Sequence, residues 1–168
     1  YFKNVEQFIH VEKEVKPKKK AISLFSGMGG DSYGLEQAGV KVIAYSEKID
    51  IIKQSHDLNF EQCELLGKDV KGDITKIKDD EFRKYENKID IIFAGFPCKA
   101  FSNAGKKKIN DPRNKLFKEF VRATKLIKPN YIIGENVKGL LSRKTSSGEK
   151  YIDIIVQEFV KLNYNVIY

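Results

Sequence analysis

Along the chain, short apolar runs alternate with longer stretches in which apolar residues recur every three or four positions. Short apolar runs bounded by turn formers read as strands, and the longer 3.6-residue period reads as helix. Strands are expected at 21–25, 41–45, 68–70, 89–94, 131–135 and 164–168. Helices are expected at 32–38 and about 50–58. A third has Asp111 as N-cap and Pro112 at its first position, and runs to Lys128. Its apolar face carries Leu116, Phe117, Phe120, Val121, Thr124 and Ile127. A fourth, about 148–162, puts Tyr151, Ile152, Ile155, Phe159 and Leu162 on one side. Near-continuous apolar strands separated by helices predict a mostly parallel sheet covered on both faces, a doubly wound α/β fold.

Residues 1–20 break this pattern. They are polar, with apolar positions only around Val5, Phe8 and Ile9, and they end in Lys16-Pro17-Lys18-Lys19-Lys20. They read as a solvated lead-in, partly helical, before a single domain spanning 21–168. A chain of 168 residues that is 41% hydrophobic can bury a real core. No apolar run approaches the roughly 18 residues that span a bilayer, so no membrane partner is expected. Tyr1 to Lys20 lacks the apolar core of a secretory signal. The chain opens on Tyr1 rather than Met, which reads as a trimmed chain or a fragment.

Two cysteines, Cys63 and Cys98, make neither a disulfide framework nor a CxxC pair. A reducing cytoplasmic compartment is therefore expected, and no metal site. A net charge of +8 favours a polyanionic partner, although a lysine-rich composition alone is a weak pointer.

Candidate chemistry gathers at the carboxyl ends of the expected strands. The first strand runs into Phe25-Ser26-Gly27-Met28-Gly29-Gly30, a turn that lets backbone approach a ligand closely. The dinucleotide pattern G-x-G-x-x-G would need glycine at 32, where Ser32 stands. That departure counts against a nicotinamide oxidoreductase with a reactive cysteine and leaves a related nucleotide-like cofactor. Glu47, at the tip of the second strand, can accept from both ribose hydroxyls. Asp73, in Gly72-Asp73-Ile74-Thr75, can accept from an exocyclic amine. Alone, the glycine turn could be only a tight connection; with both acids it indicates a Rossmann-type cofactor crevice.

The fourth strand opens into Gly95-Phe96-Pro97-Cys98-Lys99-Ala100-Phe101-Ser102. A lone cysteine is more often a small buried hydrophobe, the reading that suits Cys63. Cys98 differs because Pro97 constrains its backbone and Lys99 with Lys106-Lys107-Lys108 favours thiolate. The polar stretch from Phe101 to Asn110 has the composition of a loop that closes over a phosphate backbone. At the end of the fifth strand, Glu135 could protonate a ring nitrogen while a thiolate adds to a neighbouring carbon, or could merely cap the following helix.

In this order the pieces resemble the DNA cytosine-5 methyltransferase family. Phe25-Ser26-Gly27-Met28-Gly29-Gly30 is similar to its first motif, Glu47 to the second and Gly72-Asp73-Ile74-Thr75 to the third. Phe96-Pro97-Cys98-Lys99-Ala100-Phe101-Ser102 resembles the catalytic motif, with Lys99 where the family usually has Gln. Asp111-Pro112-Arg113 with Leu116-Phe117 resembles the segment that closes the catalytic loop, and Glu135-Asn136-Val137 the motif of the catalytic acid. The resemblance covers roughly residues 20 to 168.

The resemblance implies S-adenosyl-L-methionine as cofactor and double-stranded DNA as substrate. Phe25 would stack on the adenine, Gly27, Gly29 and Gly30 would admit the methionine end, and Glu47 would hold the ribose. Asp73 and Ile74 would read the adenine edge, and Phe96, Pro97 and Leu116 would help wall the pocket. Cys98 would add to ring carbon 6 of a flipped cytosine while Glu135 assists at ring nitrogen 3. Ser102, Lys106, Lys107 and Arg113 would meet the DNA. The family's arginine-rich motif, target-recognition domain and C-terminal motifs do not occur in the sequence. The expectation is therefore the front, catalytic portion of a bacterial restriction–modification or orphan methylase, cytoplasmic and nucleoid-associated. The alternatives are a methyltransferase-like subunit, inactive without a second polypeptide carrying the missing motifs, and tRNA cytosine-5 methylation on the same fold.

Overall fold

The computed structural model describes residues 19–97, 116–145 and 147–168. Its centre is a five-stranded sheet in the order β3-β2-β1-β4-β5, with every pairing parallel. The strands are β1 (Lys19–Leu24), β2 (Val40–Ser46), β3 (Glu64–Leu65), β4 (Ile91–Ala94) and β5 (Tyr131–Gly134). The helices are α1 (Gly30–Gln37), α2 (Asp50–Asn59), α3 (Asp79–Arg83), α4 (Phe117–Ile127) and α5 (Tyr151–Val160).

Side-chain alternation along β1 sorts its residues between two apolar clusters. Ile22 and Leu24 join a large cluster with Ile92 of β4, Phe120 of α4 and Phe159 of α5. Ala21 joins a smaller one with Leu35 of α1 and Val42 of β2. Apolar side chains thus cover both faces of the sheet, which is the doubly wound arrangement expected from the sequence. The order of connection reverses between β1 and β4, where a crevice opens at the carboxyl ends of an α/β sheet.

Two expected strands are not strands. Residues 68–70 form a turn of 3-10 helix, and the strand that pairs with β2 lies earlier, at Glu64–Leu65. Left-handed backbone at Gly67 (φ 64°) and Lys71 (φ 57°) brackets this turn and excludes extended geometry there. Residues 164–168 carry no strand either. Their alternating apolar pattern has another cause. Leu162, Tyr164 and Val166 pack against the large cluster, and the Tyr164 hydroxyl donates to the Pro129 carbonyl (2.6 Å). β5 consequently has β4 as its one strand neighbour among the described residues, leaving Tyr131 and Ile133 57% and 42% exposed.

Helix α4 is amphipathic as its spacing predicts, burying Phe117, Phe120, Ala123, Thr124, Leu126 and Ile127. It ends where Lys128 turns left-handed (φ 55°) ahead of Pro129. The expected cap at Asp111 and Pro112 lies outside the described residues. Helix α3 was not anticipated; it is short, opens on Asp79, Asp80 and Glu81, and buries Phe82. Phe120 joins three elements, with its ring centroid 4.7 Å from Phe159 and 6.2 Å from Phe96. Phe120→Ala should cost about 3–5 kcal/mol of unfolding free energy by chemical denaturation, because cavity and transfer losses add at such a site.

Candidate active site at the carboxyl edge of the sheet

The parallel register brings the strand ends together. Leu24 of β1 pairs with Ser46 of β2 and with Ala94 of β4. The next residues, Phe25, Glu47 and Gly95, therefore emerge side by side. They line a cleft of about 350 Å³, with Asp73, Ile74, Pro97 and Leu116 around it. Six expected site residues thus share one cavity: Phe25, Glu47, Asp73, Ile74, Pro97 and Leu116. Phe96 does not line it. Its side chain is buried in the core against Phe120.

One strained residue sits at this edge. Phe25 has φ 57°, a conformation that costs a non-glycine residue free energy. Its amide donates to Ser46 Oγ (3.2 Å), and the Gly27 amide donates to Glu47 Oε2 (3.2 Å). The other carboxylate oxygen, Oε1, accepts from the Ile49 amide (2.9 Å). Glu47 is thus aimed by two backbone donors and keeps acceptor capacity toward the cleft. Gly72 (φ 76°) leaves no room for a side chain, since a Cβ there would overlap the Glu47 carbonyl oxygen. That close approach brings Asp73 onto the wall that Glu47 begins. The Asp73 carboxylate accepts from the Thr75 amide (3.2 Å) and hydroxyl (2.8 Å), capping the turn at Ile74–Lys76. Gly29 (φ 94°) packs so tightly on Phe60 and His56 that a Cβ would collide, whereas a Cβ at Gly30 would meet nothing.

Glu135 follows β5 directly and is exposed. Its Oε2 lies 3.7 Å from the position a Cβ on Gly95 would take, so its carboxylate stands beside the cleft wall. Cys98 lies outside the described residues, as do Ser102, Lys106, Lys107 and Arg113.

Sequence reasoning missed several residues that hold this edge in place. Asn136 Nδ2 donates to the Phe96 carbonyl (2.9 Å), tying the chain just before Cys98 to the chain just after Glu135. Arg122 of α4 donates to the carbonyls of Ile74 (2.8 Å) and Ile77 (3.1 Å). It pairs with Asp79 and Glu119 and covers the Phe82 ring. Lys53 of α2 donates to the Lys71 carbonyl (2.8 Å) and pairs with Asp50 (2.9 Å). These two cations hold the Lys71–Ile77 wall, Lys53 at its start and Arg122 at its middle and end. Only the adjacency of Asn136 to Glu135 left a trace in the sequence; the others bond across distant segments.

Beneath the glycine turn lies a buried polar cluster. Ser23 and Ser26 donate to the Asp31 carboxylate, and the hydroxyls of Ser26 and Ser32 are 3.4 Å apart. Ser32 Oγ is 3.3 Å from His56 Nε2, and the His56 ring stacks on Tyr45, whose hydroxyl donates to Asp57. Ser32, which breaks the dinucleotide pattern, therefore has a packing role. The Cys63 thiol is pushed up to about 12, chiefly by burial, which suits the inert reading of that residue.

A family model described as C-5 cytosine-specific DNA methylase matches residues 19–168. The chain belongs to the C-5 cytosine-specific DNA methylase family. It is 39% identical over 148 residues to the type II methyltransferase M.FnuDI of Fusobacterium nucleatum, covering 88% of this chain and 40% of that relative. It is 40% identical over 155 residues to the type II methyltransferase M.Eco47II of Escherichia coli, covering 83% and 34%. The chain thus spans about two fifths or less of the length of these curated relatives. Among solved structures, it resembles one described as a DNA modification methyltransferase encoded within an Escherichia coli prophage. There the TM-score is 0.67 at 27% identity, covering 85% of this chain and 38% of that one. Among the described residues, no helix of this family member is long and apolar enough to cross a membrane.

His56 predicts a pH dependence of stability. Burial depresses its pKa below the ordinary 6.5, against the opposing pull of Asp57, Asp31 and Glu47. Above pH 6.5 both folded and unfolded forms are neutral and its contribution is whole. As pH falls below 6.5 the unfolded chain takes the proton first, so stability is lost toward the folded-state value. The loss is at most about 1.4 kcal/mol per pH unit for one proton. Denaturation of wild type and His56→Gln should show stabilities that converge as pH drops from about 7 to 5. Parallel curves would remove His56 as the cause.

Proposed function

We propose that this chain binds S-adenosyl-L-methionine in the cleft and carries the catalytic cysteine and acid for methylating carbon 5 of cytosine in DNA. The observation that supports this reading most is the arrival of Glu47, Asp73 and Glu135 around one cleft at the strand-order reversal. About 350 Å³ lies in the size range of small-molecule sites. Its donor set suits an adenosine: an aromatic at Phe25, a pre-aimed carboxylate at Glu47 for ribose hydroxyls, and Asp73 for an exocyclic amine. The Gly72 cradle, which admits no Cβ, brings the two acids together for such a ligand.

S-adenosyl-L-methionine supplies an electrophilic methyl group when bound. The chain's own residues would prepare the acceptor. A cytosine in a duplex stack is unreachable, so the target base is flipped toward the cleft. The Cys98 thiolate forms a bond to ring carbon 6, and Glu135 hydrogen-bonds or protonates ring nitrogen 3, taking up the charge that develops there. Carbon 5 thereby becomes the nucleophilic position. After methylation, loss of the carbon-5 proton to a base and breakage of the bond to Cys98 restore the aromatic ring. Asn136 holds the Phe96 carbonyl to the Glu135 segment and so acts as a positioning residue for both groups.

Calorimetry with this chain should show S-adenosyl-L-methionine binding at one site and no comparable binding of NAD. Glu47→Ala should weaken it about 10- to 100-fold, the loss expected for charge-assisted hydrogen bonds, while Cys98→Ser should leave it intact. Gly72→Ala should both destabilise the fold by about 1–3 kcal/mol and weaken cofactor binding, because it forces Glu47 and Asp73 apart. The covalent step is read separately with a duplex carrying 5-fluorocytosine, whose carbon-5 fluorine blocks the elimination. A complex resistant to denaturant should form with the wild-type chain and cofactor, and not with Cys98→Ser. A resistant complex formed equally by Cys98→Ser would sink the assignment of the nucleophile.

A further inference from the structure

The connection from β5 to α5 contains a basic hairpin that the cleft does not explain. Lys144 and Lys150 form an antiparallel bridge. The Thr145 amide donates to the Glu149 carbonyl (2.8 Å), and the Tyr151 amide donates to the Arg143 carbonyl (3.0 Å). These bonds flank the lysine pair instead of joining it, so Lys144 and Lys150 occupy a non-hydrogen-bonded position. That is the position at which opposed residues stand closest, about 4.5 Å between Cα atoms, with side chains on the same face. Alternation sends the flanking Thr145 and Glu149 toward the other face. Two acids are near in sequence, Glu149 and Asp153 of the first turn of α5, and neither forms an ion pair with Lys144 or Lys150.

Like charges directly opposite one another destabilise a strand pair. Both lysines are exposed, and among the described residues neither ammonium has an ion-pair or hydrogen-bond partner. A short hairpin that brings two unpaired cations together makes a seat for an anion. Its place in the fold says which edge it serves. The hairpin belongs to the loop that begins at Glu135 and leaves the carboxyl end of β5, the edge at which this fold presents its ligands.

We propose that the Lys144–Lys150 face is a contact for the phosphate backbone of duplex DNA, beside the base-handling edge. This rests on the DNA reading of the preceding subsection and deepens it. Lysine ammoniums bind phosphate as point charges and carry no base-specific information, so the contact positions the duplex and does not read its sequence. The unfavourable pairing in the free protein is relieved when a phosphate oxygen bridges the two ammoniums.

The test is the salt dependence of duplex DNA binding, read by fluorescence anisotropy from about 50 to 200 mM salt. Each phosphate contact contributes about 0.9 to the slope of log K against log salt. Lys144→Gln/Lys150→Gln should lower that slope by about 1–2 and weaken binding roughly ten-fold or more at the low-salt end. Lys144→Arg/Lys150→Arg should keep the wild-type slope. The Gln variant should bind S-adenosyl-L-methionine as the wild type does, and melt at the same temperature or higher, because a repulsion has been removed. A wild-type slope and affinity in the Gln variant would overturn the hairpin's role while leaving the functional reading intact. A wild-type chain that binds the cofactor and tRNA but no duplex DNA would overturn both the hairpin proposal and the DNA half of that reading.

Discussion

The parallel pairing of β1 with β2 on one side and β4 on the other is the constraint from which the site follows. Because all three strands run the same way and end level at Leu24, Ser46 and Ala94, their next residues must leave the sheet at one edge. Phe25, Glu47 and Gly95 become neighbours though they are separated by tens of positions in the chain. The connections diverge there, one toward β2 and one from β4, so the edge opens as a cleft rather than closing over. A slip of one residue between β1 and β2 would turn each side chain of a strand to the opposite face and destroy both the core and the cleft.

The cleft is held from behind by polar groups that touch no ligand position. Arg122 and Lys53 fasten the Lys71–Ile77 wall by its carbonyls, one from α4 and the other from α2. The Ser26–Ser32–His56 cluster supports the glycine turn from below. Backbone at a loop edge has no ladder to satisfy its carbonyls, and long cationic side chains from flanking helices meet that need. The same cations make the positions of Glu47 and Asp73 dependent on the helix packing, so core and site are mechanically one unit. Asn136 extends this linkage to the segment that precedes Cys98.

Charge is arranged differently on the two sides of the edge. Acids that face the cleft are aimed by backbone amides and suit hydroxyl and amine donors of a small ligand. The chain as a whole is basic, and in the hairpin after β5 two exposed lysines stand directly opposite each other. On the proposed reading, the cleft takes the small molecule and the hairpin face meets the extended polyanion.

Much of this was determined by the sequence itself. Hydrophobic period distinguished strands from helices, and the run of apolar strands excluded a sheet with one wet face. Phe25 and Glu47 were expected at strand ends, which is where ligands meet this fold, and the register brings them to one cleft. Residues 164–168 misled because a two-residue apolar alternation also arises when a loop packs one side on the core, and 68–70 because left-handed backbone at Gly67 and Lys71 closes a 3-10 turn there. Nothing local separates that from a ladder. Only the tertiary structure decided that Phe96 turns inward while Pro97 lines the cleft, that Ser32 answers His56, and that Arg122 and Lys53 clamp a distant wall. Those outcomes depend on which segments are brought together across the chain. Local propensity carries no record of that, because a buried hydrogen bond between residues 48 positions apart is specified by packing and not by neighbours in sequence.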